Sequence, residues 1–168
     1  LSRRQRQMCI RDSTRTTDEY ETPFKKATDA NDAKADYFVS IHRNSSPTPN
    51  QYTGVETLVY NNSGIKSQMA ANINSELEKA GFKNLGITER PNLVVLKRTK
   101  MPAVLVEASF INNDKDNETF DKNFNQIANG IADGILKTLG IKPKTNNTTA
   151  QAASGEAPSC LLYTSPSP

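Results

Sequence analysis

Apolar side chains recur along the chain with two periods, and each period predicts one type of element. Short continuous apolar runs, which are typical of buried strands, occur at 37–42, 55–60, 93–96 and 103–107. Apolar residues three or four positions apart, which are typical of amphipathic helices, occur at 24–34, 65–80 and 118–139. The order is therefore helix, strand, strand, helix, strand, strand, helix. We predict an α/β fold of three layers, with helices on both faces of a mostly parallel or mixed sheet.

Local signals predict where the helices begin and end. Thr22 precedes Pro23, a combination that caps a helix and starts its first turn. Gly81 and Gly140 follow the other two periodic segments, and glycine is the residue expected just beyond a helix C-terminus. The first helix is therefore expected to begin at residue 23, and the other two to end before these glycines.

The composition changes near both ends of the chain and predicts one folded domain between them. Residues 14–141 hold every predicted element, whereas 142–159 are rich in Thr, Asn, Ala and Ser and are expected to form a linker. Residues 1–13 and 160–168 show neither period and resemble translated sequencing-adaptor read-through. We therefore expect these two end segments to be non-native.

Composition and charge narrow the class of protein. The 168 residues are 35 % apolar and 23 % charged, which suits one globular domain. Residues 14–141 hold 15 Lys and Arg against 16 Asp and Glu, so the domain lacks the basic surface typical of nucleic-acid binding. No apolar run approaches the roughly 18 residues that a membrane span needs. Cys9 and Cys160 lie in the end segments, so neither a disulfide framework nor a cysteine-based metal site is expected.

Two residues at predicted strand ends are candidates for chemistry. His42, the only histidine in the chain, ends the first strand, and ligands favour the carboxyl ends of strands in α/β sheets. Glu107 directly follows four apolar residues, where partial burial suits general acid or base work. Each also has an ordinary alternative: His42 as a surface side chain without a role, and Glu107 as the partner of a lysine or the cap of a turn.

Four stretches around these candidates carry a family resemblance. They are Ala30-Asn31 with 35–44, then 54–57, 93–96 and 101–113. Their order and spacing over residues 14–141 resemble the zinc-dependent N-acetylmuramoyl-L-alanine amidases of bacterial cell walls and phage lysins, the amidase-3 type. The frames Ser40-Ile41-His42 and 102–107 are together specific for that family.

The resemblance implies a hydrolase that acts on peptidoglycan. Family members hold Zn²⁺ with two His and one Glu and leave a fourth position for water. By this resemblance His42 is the second zinc histidine, and Glu107 is the acid/base that moves a proton from the water to the leaving nitrogen. The bond cleaved joins the lactyl group of N-acetylmuramic acid to the L-alanine of the stem peptide. An extracellular location, in the cell wall or as a phage lysin, is also implied.

The chain departs from the family pattern in several places. The resemblance begins at Thr14-Arg15, near the end of the family's second strand, so we expect the first strands of the sheet to be missing. The first zinc histidine and the zinc glutamate have no counterpart, which leaves an incomplete Zn²⁺ site and predicts that this chain is inactive. Arg43 replaces a usually small residue and is expected to change the charge of the cleft.

Two other functions fit parts of the pattern. A cell-wall-binding or regulatory module of the same fold would keep the family frames without the chemistry. A doubly wound nucleotide- or phosphate-binding domain would share the order of elements, but the chain contains no glycine-rich phosphate loop. The amidase is the interpretation that accounts for His42 and Glu107 together.

Overall fold

The computed structural model describes residues 20–141, which form five helices and four strands. In chain order they are α1 (Pro23–Asp32), β1 (Phe38–Asn44), β2 (Val55–Val59), α2 (Gly64–Lys79), β3 (Asn84–Glu89), α3 (Val94–Arg98), β4 (Ala103–Phe110), α4 (Asp114–Lys122) and α5 (Phe124–Thr138). The segments predicted at 1–13, 142–159 and 160–168, with both cysteines, lie outside the described residues.

The predicted helix boundaries are confirmed at the signals that marked them. The hydroxyl of Thr22 accepts a hydrogen bond from the backbone N–H of Lys25 at 3.2 Å, and Pro23 is the first residue of α1. Gly81 follows α2 with φ of +104°, and Gly140 follows α5 with φ of +67°. Both values lie in the left-handed region that glycine adopts without steric cost, so the chain can turn away from each helix there.

The four strands form one mixed sheet in the order β1-β4-β2-β3. β4 pairs in parallel with β1 and antiparallel with β2, and β2 pairs in parallel with β3. The predicted α/β class with a mixed sheet is confirmed. The most apolar strand, β4, is buried along its whole length because it lies between two neighbours and under helices on both faces.

Helices cover both faces of the sheet, as the three-layer prediction requires. On one face α2 and α5 pack against apolar side chains of the strands, with Ile73, Leu77, Val104, Val106 and Ile131 in the centre. On the other face the shorter α1 and α3 cover a smaller cluster that includes Ala30, Phe38, Leu58, Leu96 and Leu105. This second face is the one that carries the candidate site.

The strand predicted at 93–96 is wrong, since Val94–Arg98 forms the helix α3. A four-residue apolar run has no readable period, and the run packs one side onto the sheet through Val95 and Leu96. The strand that the prediction missed is β3, Asn84–Glu89, which has little apolar content. Its place is fixed from outside the strand: buried Asn74 of α2 donates to the carbonyl oxygen of Gly86 at 2.6 Å.

The long helix predicted over 118–139 is interrupted at Asn123, where α4 ends and α5 begins. Asn123 has φ of −114° and ψ of 22°, outside the helical range. Its side-chain amide donates to the carbonyl oxygen of Ala80 at 2.9 Å, at the end of α2. The spacing of apolar residues continues unchanged through both helices. It therefore could not predict an interruption that depends on a tertiary contact.

Candidate active site

His42 and Glu107 lie side by side on the sheet. They are register partners in the parallel pair β1 and β4, which places their backbones about 4.8 Å apart. Paired residues of neighbouring strands project from the same face, so the two side chains share one surface. Glu107 is 3 % exposed and His42 is half-buried. The structure therefore brings both predicted residues together, while their roles remain predictions.

The sheet face under α1 and α3 changes from apolar to polar along the strands. Leu105 of β4 belongs to the apolar cluster there, and Glu107, two residues on, lies on the same face beyond it. On the partner strand Phe38 belongs to the same cluster, whereas Ser40, the register partner of Leu105, and His42 are polar. Glu107 therefore lies within the buried strand β4, at the point where the apolar cluster under α1 and α3 ends.

Ser40 orients the imidazole of His42. The two residues are two positions apart on β1 and so project from the same face. The hydroxyl oxygen of Ser40 lies 2.7 Å from Nε2 of His42, within hydrogen-bond distance. Since this contact restrains the ring, the imidazole is held beside Glu107.

Glu56 is a second acidic residue of the same surface, and the sequence analysis did not select it. It pairs directly with Glu107 across the antiparallel strands β2 and β4. Its Oε1 accepts a hydrogen bond from the side-chain amide of Asn44, and its Oε2 accepts one from the hydroxyl of Thr88, each at 2.9 Å. A signal existed in the sequence: Glu56 is the one charged residue within a strand that is otherwise buried.

The expectation that Arg43 changes the charge of the cleft is wrong. Its guanidinium donates to Ser109 at 2.7 Å and to the side-chain oxygen of Asn117, and it lies 4.3 Å from the ring centre of Phe120. Because neighbouring strand residues project to opposite faces, Arg43 points away from the face that carries His42. Burial lowers the pKa of Arg43, and the charges of Asp121 and Asp116 partly oppose that shift.

The loop after β1 is held against the segment after β4 by side-chain amides. Asn112 accepts from the backbone N–H of Ser46 at 3.0 Å and donates to its carbonyl oxygen at 2.7 Å. Asn113 donates to the carbonyl oxygen of Tyr52 at 3.0 Å. These bonds explain why the stretch that follows Glu107 is rich in asparagine: it fixes the loop bordering the site.

A groove of about 510 Å³ lies elsewhere on the molecule. It is lined from the end of β2 to the start of α2, and from α3 to the start of β4, and it includes Tyr60, Lys66, Lys97 and Lys100. Neither His42 nor Glu107 lines it. The groove therefore belongs to the opposite end of the strands from the candidate site.

The described residues do not complete a zinc site. A catalytic zinc ion takes three protein ligands. Among residues 20–141, no group of three or more His, Cys, Asp or Glu side chains is placed to hold a metal ion. His42 is the only imidazole in the sequence, and both carboxylate oxygens of Glu56 accept hydrogen bonds from other side chains. His42 alone is a candidate ligand here.

Comparison with known families identifies the family to which this chain belongs. A family model described as N-acetylmuramoyl-L-alanine amidase, Amidase_3, matches residues 5–137. This chain belongs to that amidase family. The match includes all four strands and both candidate residues, so the resemblance predicted from the sequence is confirmed.

Relatives and solved structures agree with this amidase assignment. An endolysin of Bacillus phage SPP1 is 34 % identical over 80 % of this chain and 52 % of that protein. The amidase CwlM of Bacillus licheniformis is 31 % identical over 76 % and 50 %. The catalytic domain of CwlV from Bacillus (Paenibacillus) polymyxa superposes with a TM-score of 0.68 at 35 % identity, covering 77 % of this chain and 72 % of that one. The chain spans about half the length of these two relatives.

Over residues 20–141, no helix is long and apolar enough to cross a membrane.

Proposed function

We propose that this chain carries part of the family's reaction site, the site that cleaves the amide bond between the lactyl group of N-acetylmuramic acid and L-alanine in peptidoglycan. The observation that carries the proposal is the pairing of His42 with Glu107 on one sheet face in a member of the amidase family. The site would then act outside the cell, in the wall or as part of a phage lysin.

Glu107 is the proposed acid/base. Its carboxylate takes a proton from the water that attacks the amide carbonyl carbon, and it returns the proton to the nitrogen as the carbon–nitrogen bond breaks. The burial of Glu107 supports this role, since a positioned carboxyl group that is shielded from bulk water keeps the proton at the reacting atoms. The bond broken is neutral and unreactive, so the nitrogen leaves only if it is protonated.

His42 is the proposed metal ligand, in a zinc site that the described residues leave incomplete. This incompleteness favours the second candidate function, a wall-binding module of the same fold that does not hydrolyse its ligand. Both proposals share the peptidoglycan ligand and differ in turnover.

A hydrolysis assay separates the two functions. Purified peptidoglycan is incubated with the full chain and with Glu107→Gln, and new L-alanine amino groups and new reducing sugar ends are measured. We expect binding of the insoluble wall material with turnover at the level of the blank, because one imidazole is available for a metal. Release of L-alanine amino groups that Glu107→Gln abolishes would contradict the expected inactivity and support the hydrolase. Absence of both binding and release would contradict both functions.

Zinc titration tests the ligand count directly. The full chain with Cys9→Ser and Cys160→Ser, which removes both thiols, is titrated with Zn²⁺ in competition with a chromophoric chelator. We expect weak binding without one-to-one stoichiometry, since zinc affinity requires several preorganised donors. His42→Ala serves as the control and should remove the specific part of this binding. A tight one-to-one site would show that further ligands exist and that the count is wrong.

A further inference from the structure

Both oxygens of the Glu56 carboxylate are hydrogen-bonded, and the donors come from the two outer strands of the described sheet. Asn44 stands at the end of β1 and Thr88 on β3, whereas Glu56 belongs to β2. Since β4 lies between β1 and β2, the bond from Asn44 crosses over β4. It does so beside Glu107, the register partner of Glu56.

The placement of Glu56 opposite Glu107 is unfavourable for the sheet itself. Directly paired residues of antiparallel strands have Cβ atoms about 5 Å apart, and like charges there are destabilising. The amide of Asn44 and the hydroxyl of Thr88 offset this cost by donating to the charged oxygens. Packing alone would favour an apolar side chain at this position, so the carboxylate has another use.

The bond from Asn44 acts where the pairing of β1 with β4 is irregular. The register shifts between His42 and Asn44: one residue of β1 lies between them, whereas two residues of β4 lie between their partners, so β4 carries the bulge. A bulge bends its strand and redirects nearby side chains. Asn44 is held on three sides beyond the shift: its carbonyl oxygen accepts from Ile111 at 2.8 Å, its Oδ1 from Ser45 at 2.8 Å, and its amide donates to Glu56.

We propose that Glu56 is a positioning residue that, through Asn44, fixes the end of β1 opposite the bulge of β4 and thereby the imidazole of His42 beside Glu107. The role rests on the proposed function, because it matters only if His42 and Glu107 act together. The hydroxyl of Thr88 donates to Oε2 and so fixes the orientation of the carboxylate, which keeps Oε1 directed at Asn44.

His42 reports on its own position, since it is the only histidine in the chain. Its ring gives one set of imidazole signals in a long-range ¹H–¹⁵N correlation spectrum of the full chain at fixed pH. In Glu56→Ala and in Asn44→Ala we expect these signals to move and to broaden from exchange between ring orientations. In Thr88→Val, which removes one hydroxyl at constant shape, we expect a smaller displacement in the same direction.

Asn72→Ala is the matched control. It removes a side-chain bond of the same length, from Asn72 to the hydroxyl of Thr138 at 2.9 Å, which joins α2 and α5 on the other sheet face. If the loss of any side-chain hydrogen bond moved the imidazole signals, Asn72→Ala would move them as well. We expect Asn72→Ala to leave these signals unchanged.

The outcomes separate the inference from the function on which it rests. Unchanged imidazole signals in folded Glu56→Ala or Asn44→Ala overturn the positioning role, even if the chain hydrolyses peptidoglycan. If Glu56→Ala does not fold, Thr88→Val and Glu56→Gln are compared instead. Unchanged imidazole signals in both of these variants would overturn the positioning role. If the imidazole signals are displaced in a chain that shows no turnover, the positioning role of Glu56 is supported and only the hydrolase function is contradicted.

Discussion

Replacing Asp116 by alanine is expected to destabilise the protein by about 4 kcal/mol. Asp116 is 2 % exposed, and its carboxylate accepts three hydrogen bonds: from the hydroxyl of Thr53 at 2.5 Å, from the N–H of Gly54 at 3.0 Å and from the N–H of Phe110 at 2.8 Å. Alanine leaves these three donors without an acceptor, and each buried unsatisfied donor costs about 1–3 kcal/mol. The loss falls at the start of β2 and the end of β4, the strands that carry Glu56 and Glu107.

Urea unfolding followed by circular dichroism measures this effect. Asp32→Ala is the control, because Asp32 is exposed at the end of α1 and such surface changes stay within about 0.5 kcal/mol. Asp116→Asn, which keeps one oxygen but adds an N–H group among donors, should also destabilise the protein. An unfolding midpoint for Asp116→Ala equal to that of Asp32→Ala would refute the assigned role of the carboxylate.

Gly134→Ala is expected to cost about 2 kcal/mol, although alanine is the better helix former. A Cβ atom at position 134 would lie 2.6 Å from Cα and 2.7 Å from the backbone nitrogen of Ile73. These are backbone atoms of α2, so no side-chain rotation relieves the overlap and the two helices must separate. Overpacking of a core costs about 1–3 kcal/mol or more, whereas alanine recovers only about 1 kcal/mol of helix propensity.

The same helix provides the comparison. At Gly130 a Cβ atom would meet its nearest neighbour, the side-chain Cβ of Glu76, at 3.4 Å, so Gly130→Ala should be neutral or stabilising. In thermal and urea unfolding, Gly134→Ala should therefore be less stable than the parent protein, and Gly130→Ala should be at least as stable. Equal stability of the two would show that α2 and α5 do not approach as closely as Gly134 permits.

The fold was predictable wherever one residue type decided the local structure. Thr22 with Pro23, and the glycines at 81 and 140, mark helix ends through backbone chemistry that no tertiary contact changes. The run at 93–96 failed because four apolar residues suit a strand and a short helix equally, and packing made the choice. β3 escaped prediction because its place depends on Asn74, a residue of another element.

The candidate site could likewise be predicted only in part. His42 and Glu107 end predicted strands, and the family frames around them made the pair recognisable. Their adjacency depends on β4 pairing with β1, which the order of elements leaves open. Glu56 was missed because its importance lies in bonds from Asn44 and Thr88, residues 12 positions before and 32 positions after it. The contacts of Arg43 were missed for the same reason.

The strand order has a consequence for synthesis on the ribosome. β1 and β2 leave the ribosome first but pair with β4 rather than with each other, and β4 ends 51 residues after β2. At about 5–20 residues per second this interval lasts several seconds. During that time β1 and β2 lack their shared partner in the nascent chain, so this stage is the one most exposed to aggregation. A pause in translation before β4 has left the ribosome should lower the yield of folded protein, whereas a pause after β4 has left should not.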